Sequence, residues 1–75
     1  MGFKKYPPLK PRQVINVLQK NGFIFKRQIG SHQQYEAFVE GKRRVVTVPD
    51  YSELDKSLLK SIFSQSGLDC KVFYK

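Results

Sequence analysis

A helical pattern of apolar residues begins after a proline-containing segment at the start of the chain. Residues 1–9 include two consecutive prolines, which oppose a helix and favour an extended lead-in. Pro11 suits the first turn of a helix, and the apolar residues that follow it fall on one stripe. This stripe consists of Val14, Ile15 and Leu18. Because Asn-Gly at 21–22 is a typical helix end, the pattern predicts a helix over about residues 11–21.

Three runs of alternating or β-branched residues follow this helix and are separated by glycine-containing turns. The runs are Phe23–Ile29, His32–Glu40 and Arg43–Val48, and the turns are Gly30-Ser31 and Gly41-Lys42. Pro49 is expected to end the third run because it has no N–H to donate to a sheet. The pattern predicts an antiparallel meander with one packed face and one wetter face.

Regular alternation assigns the residues of the first two runs to faces of this sheet. In the second run, Gln33, Tyr35, Ala37 and Val39 share one face, and His32, Gln34, Glu36 and Phe38 share the other. In the first run, Phe23, Phe25, Arg27 and Ile29 alternate with Ile24, Lys26 and Gln28. Tyr35, Ala37 and Val39 are expected in the core, and the aromatic rings of Tyr35 and Phe38 are alternative candidates for stacking on bases.

A second helical pattern completes the fold. Ser52 and Asp55 are both candidate N-caps, and Gly67 is a candidate C-terminal stop. The apolar residues between them are Leu58, Leu59, Ile62 and Phe63. The order of elements predicts an α+β fold, α-β-β-β-α, with a three-stranded antiparallel sheet and two helices on one face. The domain is expected to span residues 10–68, with 69–75 as a C-terminal tail that is either frayed or a short edge strand.

Length and composition narrow the classes of function. The 75 residues are enough for one small domain, and the 40% hydrophobic content is enough for one modest core. A single cysteine and a single histidine provide no disulfide and no His/Cys metal site, so no metal and no cofactor are expected. Without a long apolar run or an apolar signal segment, no membrane contact is expected and the protein is expected in the cytoplasm.

The excess of positive over negative charge is confined to the first two thirds of the chain. The formal net charge is +8, and residues 1–49 hold ten Lys and Arg against two acids. Residues 50–75 hold four bases and four acids, so they add no net charge. Such an asymmetry is typical of a surface that binds a polyanion such as RNA, although a solubilising rim of charge is the alternative.

His32 is the main candidate for chemistry. It follows the Gly30-Ser31 turn directly and shares a face with polar residues, so we expect it to be exposed. A histidine gains and loses a proton near neutral pH, which suits general acid–base catalysis. Gly30 would let a phosphate approach the backbone, and Ser31 offers a hydroxyl and an N–H to hold it. The alternative is that His32 merely begins a strand after a hairpin turn.

Several blocks of this sequence resemble the HicA toxin family over about residues 11–68. The blocks are Asn21-Gly22-Phe23, Arg27-Gln28-Ile29-Gly30-Ser31-His32, Thr47-Val48-Pro49 and Gln65-Ser66-Gly67-Leu68. The resemblance implies a fold similar to double-stranded-RNA-binding domains and a ribonuclease that acts on messenger RNA. It also implies inhibition by a HicB-like antitoxin, and it makes His32 the essential histidine.

Three departures from the family pattern bear on this site. Gln33 stands where many members have a second histidine, and Asp50-Tyr51-Ser52 occupies a stretch that often holds another. Lys56-Ser57 stands in place of the usual Gly-Thr that opens the last helix. These changes leave the proposed catalytic position intact.

The resulting hypothesis is a metal-independent endoribonuclease of a type II toxin–antitoxin system. His32 removes the proton from a ribose 2′-OH, and Lys26, Arg27, Arg43 and Arg44 position phosphates. The free toxin is expected to be a monomer and the complex with the antitoxin a hetero-oligomer. The alternatives are a non-catalytic RNA-binding module and a protein whose basic face serves chiefly to bind an acidic antitoxin.

Overall fold

The three strands form a meander, and both helices pack on one of its faces. The computed structural model describes residues 6–74, and it confirms the α+β fold and the order of elements. The elements are helix α1 (Pro11–Lys20), strands β1 (Ile24–Ile29), β2 (His32–Val39) and β3 (Lys42–Pro49), helix α2 (Lys56–Ser66) and a 3-10 helix (Cys70–Tyr74). Residues 1–5 of the predicted lead-in and residue 75 of the predicted tail lie outside the described residues.

Side chains and backbone groups at the helix ends explain where both helices begin and end. Gln13 accepts a hydrogen bond from the Lys10 N–H at 2.8 Å, which satisfies one of the free donors at the start of α1. Asp55 is the N-cap of α2, and its carboxylate accepts from the Leu58 N–H at 3.0 Å. Gly67 ends α2 in the left-handed conformation with φ of 71°.

The strands pair antiparallel in the order β1-β2-β3 through two two-residue turns. The second turn is Glu40-Gly41 rather than the predicted Gly41-Lys42, and Lys42 already pairs with Val39. Both Glu40 and Gly41 have positive φ, as in the type I′ turn, whose twist matches that of the flanking strands. Pro49 is the last residue of β3 rather than the first residue after it. A proline is tolerated there because β3 is an edge strand, where its missing N–H is not needed for pairing.

The core lies between the helices and one face of β2 and β3, which we call the inner face. Val14 and Leu18 of α1 pack there with three residues of α2. The inner-face residues are Tyr35, Ala37, Val46 and Val48, and those of α2 are Leu59, Ile62 and Phe63. Burial of these apolar side chains is the main stabilising contribution to the fold.

The segments outside the two helices also pack on this core. Leu9 is buried and forms a two-way backbone bridge with Leu54. The described part of the tail takes neither of the two predicted forms, a frayed tail or an edge strand, because Cys70–Tyr74 is a 3-10 helix. This helix places the centroid of the Phe73 ring 4.8 Å from that of the Phe63 ring. The Tyr74 hydroxyl then donates to the Pro7 carbonyl at 2.8 Å. Within residues 6–74 no helix has the length and apolar character needed to cross a membrane.

Candidate active site

A bulge in β1 decides which of its residues lie beside His32. Phe25 pairs with Tyr35, but the next paired residue is Arg27, which lies opposite Gln34. Lys26 is the extra residue of the bulge, so the regular alternation of side chains between the two faces of the sheet is interrupted there. The prediction that Phe25 and Arg27 share a face is therefore wrong. Directly opposed residues of antiparallel strands share a face, so Arg27 lies on the face of Gln34 and not on that of Phe25.

His32 begins β2 on the outer face of the sheet, which is the face opposite the helices. It lies between two strand neighbours, because it pairs with Ile29 of β1 and with Pro49 of β3. His32 is exposed, and no group within residues 6–74 hydrogen-bonds to its ring. The imidazole is therefore accessible to a substrate that crosses the outer face.

The turn before His32 is fixed on both sides. Gly30 has a positive φ of 60°, a backbone conformation that glycine adopts more readily than other residues. A Cβ at this position would have no neighbouring atom within 4 Å, so glycine is favoured by the turn conformation and not by a lack of space. The Gln28 side-chain amide donates to the Gly30 carbonyl at 2.9 Å. The Asp50 N–H donates to the Ser31 carbonyl at 2.7 Å and ties the turn to the segment that follows β3. These bonds position the open Gly30-Ser31 backbone directly beside His32.

Arg27 is the predicted basic residue that the structure brings closest to His32 along the sheet. It is the diagonal neighbour of His32 across the β1–β2 pair, a spacing of about 7–8 Å between Cα atoms. Arg27 is exposed and makes no ion pair within residues 6–74. Its guanidinium is thus available to a phosphate held near the imidazole.

Lys26 and Arg43 form a separate cluster around Glu36, further along the outer face. The Lys26 ammonium lies 3.3 Å from Glu36 Oε2, and the Arg43 Nε donates to the same oxygen. The hydrogen bond from Arg43 is the main reason why the pKa of Glu36 lies below its ordinary value. Glu36 follows His32 by four residues, so this cluster lies about 13 Å from His32 along the strand.

Arg44 is not on the outer face at all. It pairs with Ala37 on the inner face and packs against the C-terminal end of α2, where a Cβ on Gly67 would lie 3.0 Å from the guanidinium carbon. Its Nε is buried, and within residues 6–74 it has no hydrogen-bond partner. A cation at this end of α2 is favourable for the helix dipole, so the position of Arg44 fits a packing role.

Position 33 also lies away from His32. The Gln33 side chain accepts a hydrogen bond from the Tyr35 hydroxyl at 2.8 Å on the side of the sheet that faces the core. A histidine at this position would therefore point away from the outer face. The departure at residues 50–52 is closer to the site, because this segment adjoins the Gly30-Ser31 turn through Asp50.

Sequence reasoning missed two residues that shape the site. The first is Glu36, whose carboxylate forms ion pairs with two of the predicted phosphate-binding cations. This pairing could have been suggested by the sequence, because Glu36 shares a face with His32 and lies on the strand between two basic strands. The Asp50 N–H anchors the Gly30-Ser31 turn, and no pattern in the sequence marks a backbone contact of this kind. Within residues 6–74, no group of three or more His, Cys, Asp or Glu residues is arranged to hold a metal ion.

A comparison with known protein families gives a match over most of the chain. The sequence model described as the HicA toxin of bacterial toxin–antitoxin systems matches residues 11–68. That range includes both helices and the whole sheet. No curated protein matches the sequence.

Proposed function

The chain belongs to the HicA toxin family of toxin–antitoxin systems, and we propose that it is a metal-independent ribonuclease that cleaves messenger RNA. It acts in the cytoplasm as a monomer and is inhibited in a hetero-oligomer with a HicB-like antitoxin. The observation that carries the proposal is the exposed imidazole of His32 beside the Gly30-Ser31 turn and Arg27.

The chemistry proposed for His32 is proton removal from a ribose 2′-OH. The 2′-oxygen then attacks the adjacent phosphorus, the bond from phosphorus to the 5′-oxygen breaks, and a 2′,3′-cyclic phosphate forms. The leaving 5′-oxygen takes a proton from water or from the imidazolium that the first step produced. General acid–base catalysis of this kind contributes about 10²–10⁴-fold to the rate.

Arg27 and the Gly30-Ser31 turn hold the scissile phosphate in this proposal. The guanidinium stabilises the charge that develops on the phosphate oxygens, and the turn admits a phosphate to an uncrowded backbone. Lys26 and Arg43 bind a phosphate further along the strand, in competition with Glu36. Arg44, which lies on the inner face, is left out of the contacts.

The test compares wild type with His32→Ala and with Gln34→Ala, a matched change on the same face. His32→Ala should lower cleavage of a messenger RNA by about 10²–10⁴-fold without changing the unfolding midpoint, and Gln34→Ala should retain most of the activity. Mapping of the product ends should find 2′,3′-cyclic phosphates and 5′-hydroxyls. Cleavage by folded His32→Ala at the wild-type rate would refute the role of His32.

The requirement for a metal is tested separately. Cleavage by wild type should persist in EDTA, because the proposed proton transfer and charge stabilisation use only side chains. Activity that disappears in EDTA and returns with Mg²⁺ would contradict a metal-independent reaction.

A non-catalytic RNA-binding module is the second candidate. The exposed Phe38 ring and the cations of the outer face would serve RNA binding whether or not His32 reacts. RNA that binds but keeps intact ends with wild-type protein would favour this candidate.

A further inference from the structure

The two edges of the sheet, β1 and β3, differ in whether other parts of the molecule bond to their backbone. At the β3 edge, the Thr47 N–H donates to the Gln65 side chain of α2 at 3.0 Å, and Pro49 has no N–H to offer. At the β1 edge, no segment within residues 6–74 pairs with the strand. Unpaired N–H and C=O groups along an edge are a template for another strand. The bulge and the two cations of β1 disfavour indiscriminate pairing at this edge, but they leave it uncovered.

β1 is also exposed on both of its faces. Ile24 and Ile29 are 67% and 58% exposed on the outer face. Phe25 is 51% exposed on the inner face, where its ring packs edge-on against the Tyr35 ring. These are three of the five large apolar side chains that are most exposed in the described part of the chain. An exposed edge with apolar side chains on each face is typical of a surface that a partner covers.

The charge at the centre of β1 decides which partner fits. Lys26 and Arg27 are the middle residues of the strand Ile24–Ile29. Antiparallel pairing with β1 of a second copy would set these cations against the same cations, and like charges opposite each other are destabilising. A strand with carboxylates at its centre and apolar residues at its ends would instead match both the charge and the exposed apolar side chains.

We propose that the free edge of β1 docks an extended, acidic segment of a partner protein by strand addition. We take this partner to be the antitoxin, and that identification rests on the proposed function. The added strand would lie about 10 Å from β2, two strand spacings away. Its carboxylates would engage Arg27 and thereby remove from the substrate the cation nearest His32.

The experiment uses the His32→Ala protein, so that strand binding is measured independently of cleavage. The probe is the acetylated, amidated peptide Val-Thr-Glu-Glu-Val-Val, titrated to millimolar concentration and followed by amide NMR shifts and hydrogen exchange. We expect shifts and added protection in residues 24–29, and none for the peptide in which both glutamates are lysine.

Matched charge reversals test the role of Arg27. Arg27→Glu should weaken binding of the acidic peptide by about tenfold or more, because it replaces an attractive pair by a repulsive one. Lys60→Glu changes the net charge equally but lies on α2, and it should leave binding within about twofold of the starting protein. Both variants must first show the amide spectrum of a folded chain.

Three outcomes would overturn the proposal. The first is no protection of residues 24–29 at any peptide concentration, and the second is equal binding of the lysine peptide. The third is protection of the same amides by a twelve-residue oligouridylate but not by the acidic peptide, which would assign the edge to RNA. Since the protein lacks His32 throughout, none of these outcomes bears on whether wild type cleaves RNA.

Discussion

The inner and outer faces of the sheet are built by the same three strands, but different forces hold their side chains. On the inner face, Tyr35 and Val46 are buried under two helices and contact many apolar neighbours. On the outer face, His32 is exposed and Glu36 is held by ion pairs with cations of the two flanking strands. Packing therefore fixes one face, and hydrogen bonds and charges arrange the other.

This difference should separate the residues that stabilise the fold from those that we propose to act on RNA. A substitution on the inner face removes buried contacts, whereas one on the outer face changes charge or a reactive group at little cost to the core. The predictions below test that separation, starting with the substitution that should have the largest effect.

The first prediction compares Leu59→Ala with Phe38→Ala. Leu59 of α2 is fully buried over the inner face, so its truncation should lower the free energy of unfolding by about 2–5 kcal/mol. Phe38 is 73% exposed on the outer face, and its truncation should change that free energy by about 0.5 kcal/mol or less. Urea denaturation followed by circular dichroism measures both values. Equal destabilisation by the two changes would show that the outer face also carries the fold.

The second prediction compares two arginines on opposite faces. Arg27→Ala should lower kcat/KM for RNA cleavage by about 10- to 150-fold, since a hydrogen bond to a charged group contributes about 1.5–3 kcal/mol. Arg44→Ala should leave kcat/KM within about twofold of wild type but lower the urea midpoint, because Arg44 packs on the end of α2. A large loss of kcat/KM in folded Arg44→Ala, with Arg27→Ala unaffected, would reverse these assignments.

The elements and the core follow from local patterns in the sequence. The stripe of Val14 and Leu18, the alternation of Tyr35 and Ala37, and the cap at Asp55 each depend on residues close together in the chain. Local spacing determines such features, and the structure has them where the sequence predicts them.

The arrangement of the outer face depends on contacts that local patterns do not specify. The bulge at Lys26 turns Arg27 towards His32, and regular alternation predicts the opposite facing. Arg44 is basic like its neighbour Arg43, but α2 packs next to one of them and not the other. The tail forms a 3-10 helix because Phe73 finds space beside Phe63, which becomes visible only in the assembled core.

The third prediction concerns Glu36, which neutralises cations of the outer face. Glu36→Gln removes the carboxylate that holds Lys26 and Arg43, so both become available to a phosphate. We expect RNA to bind the His32→Ala, Glu36→Gln protein about two- to fivefold more tightly than His32→Ala alone, as expected for an exposed pair contributing up to about 1 kcal/mol. Fluorescence anisotropy at fixed salt measures the change in Kd.

A matched change separates this local effect from net charge. Glu53→Gln adds the same charge at an exposed acid that makes no ion pair within residues 6–74. It should tighten RNA binding less than Glu36→Gln does. Equal effects of the two substitutions would mean that overall charge, and not the release of Lys26 and Arg43, controls affinity.

The fourth prediction, with the smallest expected effect, is the pH dependence of stability at Glu36. The pKa of Glu36 in the folded protein lies below its ordinary value of 4.5, mainly because of the hydrogen bond from Arg43. The ionised form is thus favoured in the fold, and its stabilising contribution is present above the ordinary pKa and is lost as pH falls through the lowered one. The unfolding midpoint of wild type should exceed that of Glu36→Gln slightly at pH 6, and the difference should shrink as pH falls below 4.5 and through the lowered pKa. Comparing the two proteins at each pH cancels the titration of the other carboxylates. A difference that stays constant from pH 6 to pH 3 would show that ion pairing at Glu36 does not stabilise the outer face.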